Sequence, residues 1–252
     1  MNIRYSLLPY MYTLFYQAHT TGSTVMRALA WEFPNDPSLA AADRQFLLGP
    51  SLMVTPVLMP GATTVNGVFP GVGHGTVWYD WYNQSAVSVA RGANVTIAAP
   101  LGHIPVFVRG GSVLPMQQPG YTTAESRKTP WSLLVALDLV GTATGQLYLD
   151  DGVSLQPNAT RYIEFTATNS HLYVSVEGTF VDMNALANIT ILGVQQAPTS
   201  ATFNGRLVPG VSYNSATKVV SITGLQTVTS GGAWMMDWVL QWSNKPATCT
   251  YN

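Results

Sequence analysis

The sequence predicts a mainly β fold: a helix–strand–helix unit of α/β type over residues 1–50, followed by two antiparallel β-sandwich domains. Three observations carry this reading. The first fifty residues combine a helical apolar pattern with a nearly continuous apolar run. From Ser51 onward, short β-rich runs alternate with Gly, Pro and Asn turns. One polar, proline-bounded stretch, Met116–Pro130, interrupts those runs and marks a crossover between domains.

From Arg4 to His19, Tyr5, Leu8, Tyr12, Phe15 and Tyr16 fall at spacings that suit one helical face, and Gly22 is the expected stop. Thr24–Trp31 is apolar almost throughout and β-branched at its start, the pattern of a strand buried on both faces in a parallel sheet. Arg27 is the single charge inside that run, so it needs a carboxylate or carbonyl partner. Asn35-Asp36-Pro37 signals the start of a second helix, through Ala40 to Leu48, ended by Gly49-Pro50. One helix–strand unit cannot bury both its apolar faces alone, so this segment reads as the last piece of a larger α/β structure that begins upstream.

The first sandwich is expected from Ser51–Leu58, Thr76–Tyr82, Asn94–Ala98 and Ile104–Val108. The second is expected from Ser132–Leu139, Gly145–Leu149, Tyr162–Thr168, His171–Val176, Asn188–Leu192, Ala201–Phe203, Val219–Ile222 and Trp238–Trp242.

Charged residues make up 9% of the chain and the net charge is −1, which leaves neither the basic footprint of a nucleic-acid binder nor a basic patch for an anionic membrane. Leu7–Phe15 is too short to span a bilayer, and no small-residue cleavage site follows it, so an export signal is expected upstream. Four acceptor sequons, at Asn83, Asn94, Asn158 and Asn188, favour a secreted glycoprotein. The one cysteine, Cys249, is either tethered by a disulfide to a cysteine outside this chain or a free thiol.

The motifs that could carry chemistry have simpler readings. Asp150-Asp-Gly lacks the further oxygen ligands of a calcium loop and reads as a hairpin turn. Trp78-Tyr-Asp-Trp-Tyr82 and the set Trp234, Trp238 and Trp242 could stack on sugars but read as core or interdomain packing. Arg109-Gly-Gly lacks a following helix and reads as a tight turn. His19, His74, His103 and His171 stand at no metal or triad spacing, and no metal or other cofactor is expected.

The ordered series Arg4-Tyr-Ser-Leu-Leu-Pro-Tyr-Met-Tyr-Thr-Leu, Met26-Arg-Ala-Leu, Glu32-Phe-Pro, Asp43-Arg-Gln-Phe-Leu-Leu-Gly-Pro-Ser-Leu-Met-Val-Thr-Pro-Val-Leu58, Trp78-Tyr-Asp80, His103–Pro115 and Leu147-Tyr-Leu-Asp-Asp-Gly152 resembles the C-terminal part of glycoside hydrolase family 31, in particular its secreted fungal α-glucosidases. The resemblance implies that residues 1–50 are the C-terminal remnant of a (β/α)8 catalytic barrel, with Thr24–Trp31 as its eighth strand, and that a proximal sandwich (51–118) and a distal one (119–252) follow. It also implies α-glucoside hydrolysis with retention, which needs two carboxyl groups about 5 Å apart. The family's nucleophile and acid/base aspartates lie on earlier segments that this sequence lacks. Asp182-Met-Asn184 has neither the preceding Trp nor the following Glu of the nucleophile motif. No catalytic residue is therefore assigned here, and the chain alone is expected to be inactive, acting with an upstream catalytic part that binds the α-glucoside. Glu32 and Asp36, just past the eighth strand, are the carboxylates at the end of a barrel where active sites are built, and they are the candidates for substrate contact. The competing function is a non-catalytic carbohydrate-binding or scaffold protein built from the same sandwiches.

Overall fold

The computed structural model describes residues 2–229 and 231–244; Cys249 lies outside them. The chain opens with α1 (Asn2–Ser6) and α2 (Leu8–Thr21). The expected single helix is broken because Pro9, near the start of α2, has no N–H to continue the ladder. Gly22 ends α2 in the left-handed conformation, its N–H donating to the Ala18 carbonyl.

The segment after α2 departs from expectation. In place of a strand over Thr24–Trp31 there is a two-residue β1 (Met26–Arg27) and then one helical turn, α3 (Leu29–Glu32). It is not buried on both faces, since Met26 and Trp31 are 65% and 63% exposed. A parallel-sheet strand needs neighbours on both edges, and β1 has one, the antiparallel β2 (Phe46–Leu48). An apolar run without such neighbours is free to turn helical and bury Leu29 instead. The second helix is likewise reduced to a 3-10 turn, Pro37–Leu39, capped by Asp36. The apolar residues Phe46–Leu48 pair with β3 (Leu52–Val54) rather than extending a helix. Gly49 makes that hairpin possible: at φ +57° its missing Cβ would lie 2.5 Å from the Tyr10 hydroxyl oxygen.

The remaining strands of the first half are β4 (Thr64–Gly67), β5 (Trp78–Asp80), β6 (Val95–Ala98) and β7 (Val106–Arg109). β4 and β6 form a separate antiparallel pair, while the others give a five-stranded sheet in the order β1-β2-β3-β7-β5. Alternation gives it two buried faces. Leu47, Met53, Trp78 and Phe107 pack with Leu29, Leu39 and Phe69 on one side. Leu52, Val106 and Val108 pack against Tyr10 and Leu14 of α2 on the other. Trp78 and Tyr79 are core, as expected, and Tyr82 is 43% exposed.

The chain changes sheets at Gly110-Gly111, ahead of the expected crossover. β8 (Ser112–Gln117), then a helical turn α4 (Thr123–Ser126), lead into β9 (Trp131–Ala136), β10 (Thr142–Leu149), β11 (Arg161–Thr168), β12 (His171–Gly178), β13 (Leu186–Leu192), β14 (Ser200–Phe203), β15 (Arg206–Leu207), β16 (Gly210–Asn214), β17 (Val219–Thr223) and β18 (Trp238–Ser243). With β8 they form one eleven-stranded sheet, β15-β14-β18-β12-β11-β10-β8-β9-β13-β17-β16. It is antiparallel except where β8 meets β10 and β9 meets β13. The sheet curls on itself, so that Leu133, Ile189 and Ile222 from one half share a core with Phe165, Leu172 and Leu240 from the other. Trp234, Trp238 and Trp242 lie in that core. The mainly β reading stands.

Candidate functional site

The Arg27 partner that the sequence calls for is Glu32, one helical turn further on. One Glu32 carboxylate oxygen accepts from Arg27, and the other lies 3.4 Å from Nη1 of Arg109 at the end of β7. The Glu32 side chain is 14% exposed, and those of Arg27 and Arg109 are 12% and 27% exposed. Arg109 also stands 4.5 Å above the Phe33 ring. With both oxygens committed to guanidinium groups, Glu32 is arranged to hold β1, α3 and β7 together. Asp36 accepts from the Ser38 backbone N–H at 3.1 Å and the Ser38 hydroxyl at 2.5 Å, which is helix capping.

Asp182 accepts from the Trp131 indole N–H at 3.0 Å and the Asn184 backbone N–H at 2.9 Å, roles that orient the start of β9. Asp150 is buried, and its carboxylate accepts from the Tyr12 hydroxyl at 2.8 and 3.0 Å and from the Gly152 N–H at 2.7 Å. Arg127 lies 5.9 Å from the Tyr12 ring and donates to the Asp150 carbonyl. Tyr16 stacks on Tyr148 at 3.8 Å. These contacts clamp α2 to the large sheet. Burial and the Asp150 carboxylate push the Tyr12 phenol up to about 12, so it stays a donor. Asp151, exposed beside Asp150, is held down to about 2 by the Ser154 hydroxyl and the backbone N–H groups of Ser154 and Val153.

The four histidines remain apart. His103 stacks on Tyr82 at 3.9 Å and His171 on Tyr173 at 5.6 Å. Among the described residues no group of three or more His, Cys, Asp or Glu could hold a metal ion, and no helix is long and apolar enough to cross a membrane. The four sequon asparagines Asn83, Asn94, Asn158 and Asn188 are all exposed.

Sequence reasoning missed two features. Arg109 is 77 residues from Glu32, and only its place at a strand end before Gly-Gly hinted at a special position. The second is a cleft of about 600 Å3 in the angle between α2 and the large sheet, lined by Gln17, Arg109, Thr144, Gln146, Glu164 and Thr166 among others. Its walls come from α2, the end of β7, β10 and β11, and no local pattern joins them.

Residues 22–114 match the model of the glycosyl hydrolase family 31 C-terminal domain. Two α-glucosidases, from Aspergillus niger and Aspergillus oryzae, are each 62% identical over 244 residues, 96% of this chain and 25% of the relative. The α-glucosidase of Schizosaccharomyces pombe is 53% identical over 240 residues, 95% of this chain and 25% of the relative. The chain thus spans about a quarter of the length of the curated relatives it matches. Among solved structures, a glucosidase II alpha subunit superposes with a TM-score of 0.83 at 24% identity, covering 96% of this chain and 28% of that one. A dextranase from Flavobacterium johnsoniae superposes with a TM-score of 0.73 at 24% identity, covering 96% and 32%. These two likenesses are of fold.

Proposed function

We propose that this chain, which belongs to glycosyl hydrolase family 31, is the non-catalytic C-terminal portion of a retaining α-glucosidase. In this reading residues 1–50 close the catalytic barrel, while residues 51–118 and 119–252 brace it from outside. The nucleophile and acid/base carboxylates, and the α-glucoside, belong to the upstream part of the enzyme.

The observation that carries the reading is the contrast within the first fifty residues. β1 is an edge strand with one side unpaired, and Met26 within it and Trp31 just after it stand 65% and 63% exposed. An open strand edge next to large apolar side chains is the form of a surface made for another protein part. The Glu32 ion pairs hold that edge in place, ready to continue a sheet.

The purified 252-residue chain should release no p-nitrophenol from an aryl α-glucoside. Co-expression with the upstream part of the Aspergillus niger relative should give a co-purifying, active complex. Turnover by the chain alone at the rate of the intact relative would overturn the reading. The exposure of Asn83, Asn94, Asn158 and Asn188 supports a secreted glycoprotein. Peptide mapping after secretion from a fungal host should find glycans on these asparagines.

A further inference from the structure

We infer that the cleft between α2 and the β10–β11 face binds a neutral saccharide chain. Its volume of about 600 Å3 lies within the ~300–1,000 Å3 of ligand clefts. Its walls carry unspent hydrogen-bonding capacity. The Glu164 carboxylate and the Thr144 and Thr166 hydroxyls line it, and among the described residues no side-chain hydrogen bond or ion pair occupies them. The Gln17 side-chain N–H donates to Gln146 Oε1 at 2.5 Å and the same side chain meets the Tyr162 hydroxyl, which leaves Gln17 Oε1 and the Gln146 side-chain N–H groups for further bonds.

The charges argue against an anionic ligand, because Arg109, the cation in the wall, is already paired with Glu32 and Glu164 faces the same space. Paired amides, hydroxyls and one free carboxylate suit a ligand rich in hydroxyl groups. The same sheet face supplies an aromatic platform one strand beyond the cleft wall. Thr166 of β11 lies directly opposite Tyr173 of β12, so the two side chains share a face. Tyr173 is 48% exposed and its ring is near-parallel to that of His171. A pyranose leaving the cleft past Thr166 would meet the flat face of Tyr173, an apolar surface beside polar groups. Every wall of the cleft belongs to this chain.

The test is calorimetric titration of the 252-residue chain with maltohexaose and, separately, with a linear mannose oligosaccharide. Saturable binding of maltohexaose is expected. Glu164→Ala should weaken it about tenfold, equivalent to about 1.4 kcal/mol, and Tyr173→Ala severalfold. Both residues are exposed, so the variants should keep the parent circular dichroism spectrum. Tyr121→Ala, at a residue outside the cleft, should bind like the parent. Bound ligand should slow hydrogen exchange in β10 and β11. Binding of the mannose chain alone would keep the site and assign it to a glycan rather than a glucan. Failure of both oligosaccharides to bind, or parent-like binding by both Glu164→Ala and Tyr173→Ala, would overturn it.

Discussion

Helix α2 and the stretch from Thr24 to Glu32 are neighbours in sequence and both rich in apolar residues, yet they are held in opposite ways. α2 is wedged between two sheets: Tyr10 and Leu14 share a core with Leu52 and Val108 on one side and Leu114 and Leu134 on the other. It is then fixed by Tyr12 on Asp150 and Tyr16 on Tyr148. The following stretch sinks Leu29 and ties Glu32 to two arginines, but leaves Met26 and Trp31 in the open. The difference separates two kinds of apolar residue. Those of α2 stabilise this chain, while Met26 and Trp31 are left to the association proposed above. The expectation that this unit cannot bury both its apolar faces alone does not hold for α2, which this chain covers on both sides.

The largest effect that bears on this contrast is at Leu14, which is 3% exposed. Leu14→Ala should cost about 3 kcal/mol in denaturant unfolding of the chain alone. A loss below about 1 kcal/mol would mean that α2 contributes little to the core and would erase the contrast. Asp150→Asn should cost about 1–3 kcal/mol, since a buried carboxylate that accepts from the Tyr12 hydroxyl and the Gly152 N–H is replaced by a group that cannot accept at both ends. Combined with Tyr12→Phe the losses should be less than additive, because the two substitutions break one contact.

Alkali gives a milder test. Burial raises the Tyr10 and Tyr79 phenols from 10.0 to about 12. Because the folded state holds these protons more tightly, their contribution is intact below pH 10 and is lost as pH rises towards 12. Urea midpoints measured across that range should fall, and ultraviolet titration should show phenols that ionise late. The smallest effect is at Trp31. Trp31→Ser should leave the stability of the isolated chain within about 0.5 kcal/mol of the parent, while weakening capture of an upstream catalytic part in a pull-down. A large loss of stability in the isolated chain would place Trp31 in the same class as Leu14.

What could be read from the sequence was what depends on local spacing. The three- and four-residue steps through Tyr5, Leu8, Tyr12 and Phe15 gave the helix, and Gly22 its end, because both follow from backbone geometry within one turn. The β-rich runs Tyr162–Thr168 and His171–Val176, bounded by turn residues, gave two strands whose observed bounds are Arg161–Thr168 and His171–Gly178. Phe46–Leu48 was expected in a helix and lies in a strand because its fate is decided by pairing with Leu52–Val54, not by its own pattern. The need of Arg27 for an anion was legible, and Glu32 lay close enough to serve. Arg109 was not legible, since a contact across 77 residues leaves no trace in spacing. The cleft was hidden for the same reason: Gln17, Gln146 and Glu164 are ordinary surface residues until α2 is laid beside β10.

The position of β18 has a consequence for how the molecule is made. Residues 238–243 lie between β12 and β14, so the strand synthesised last of the eleven is an interior member of its sheet. Chains emerge from the ribosome N-terminus first, and until β18 arrives β12 and β14 each present an open edge. The half containing β8, β9, β13 and β17 can pair without it. A nascent chain stalled before Trp238 would thus carry one finished half-sheet and one with two sticky edges, a species for chaperones to hold. Shortening the chain to residue 237 should turn a soluble product into inclusion bodies, although it removes none of the small sheet, the cleft walls or the arginine-bound Glu32.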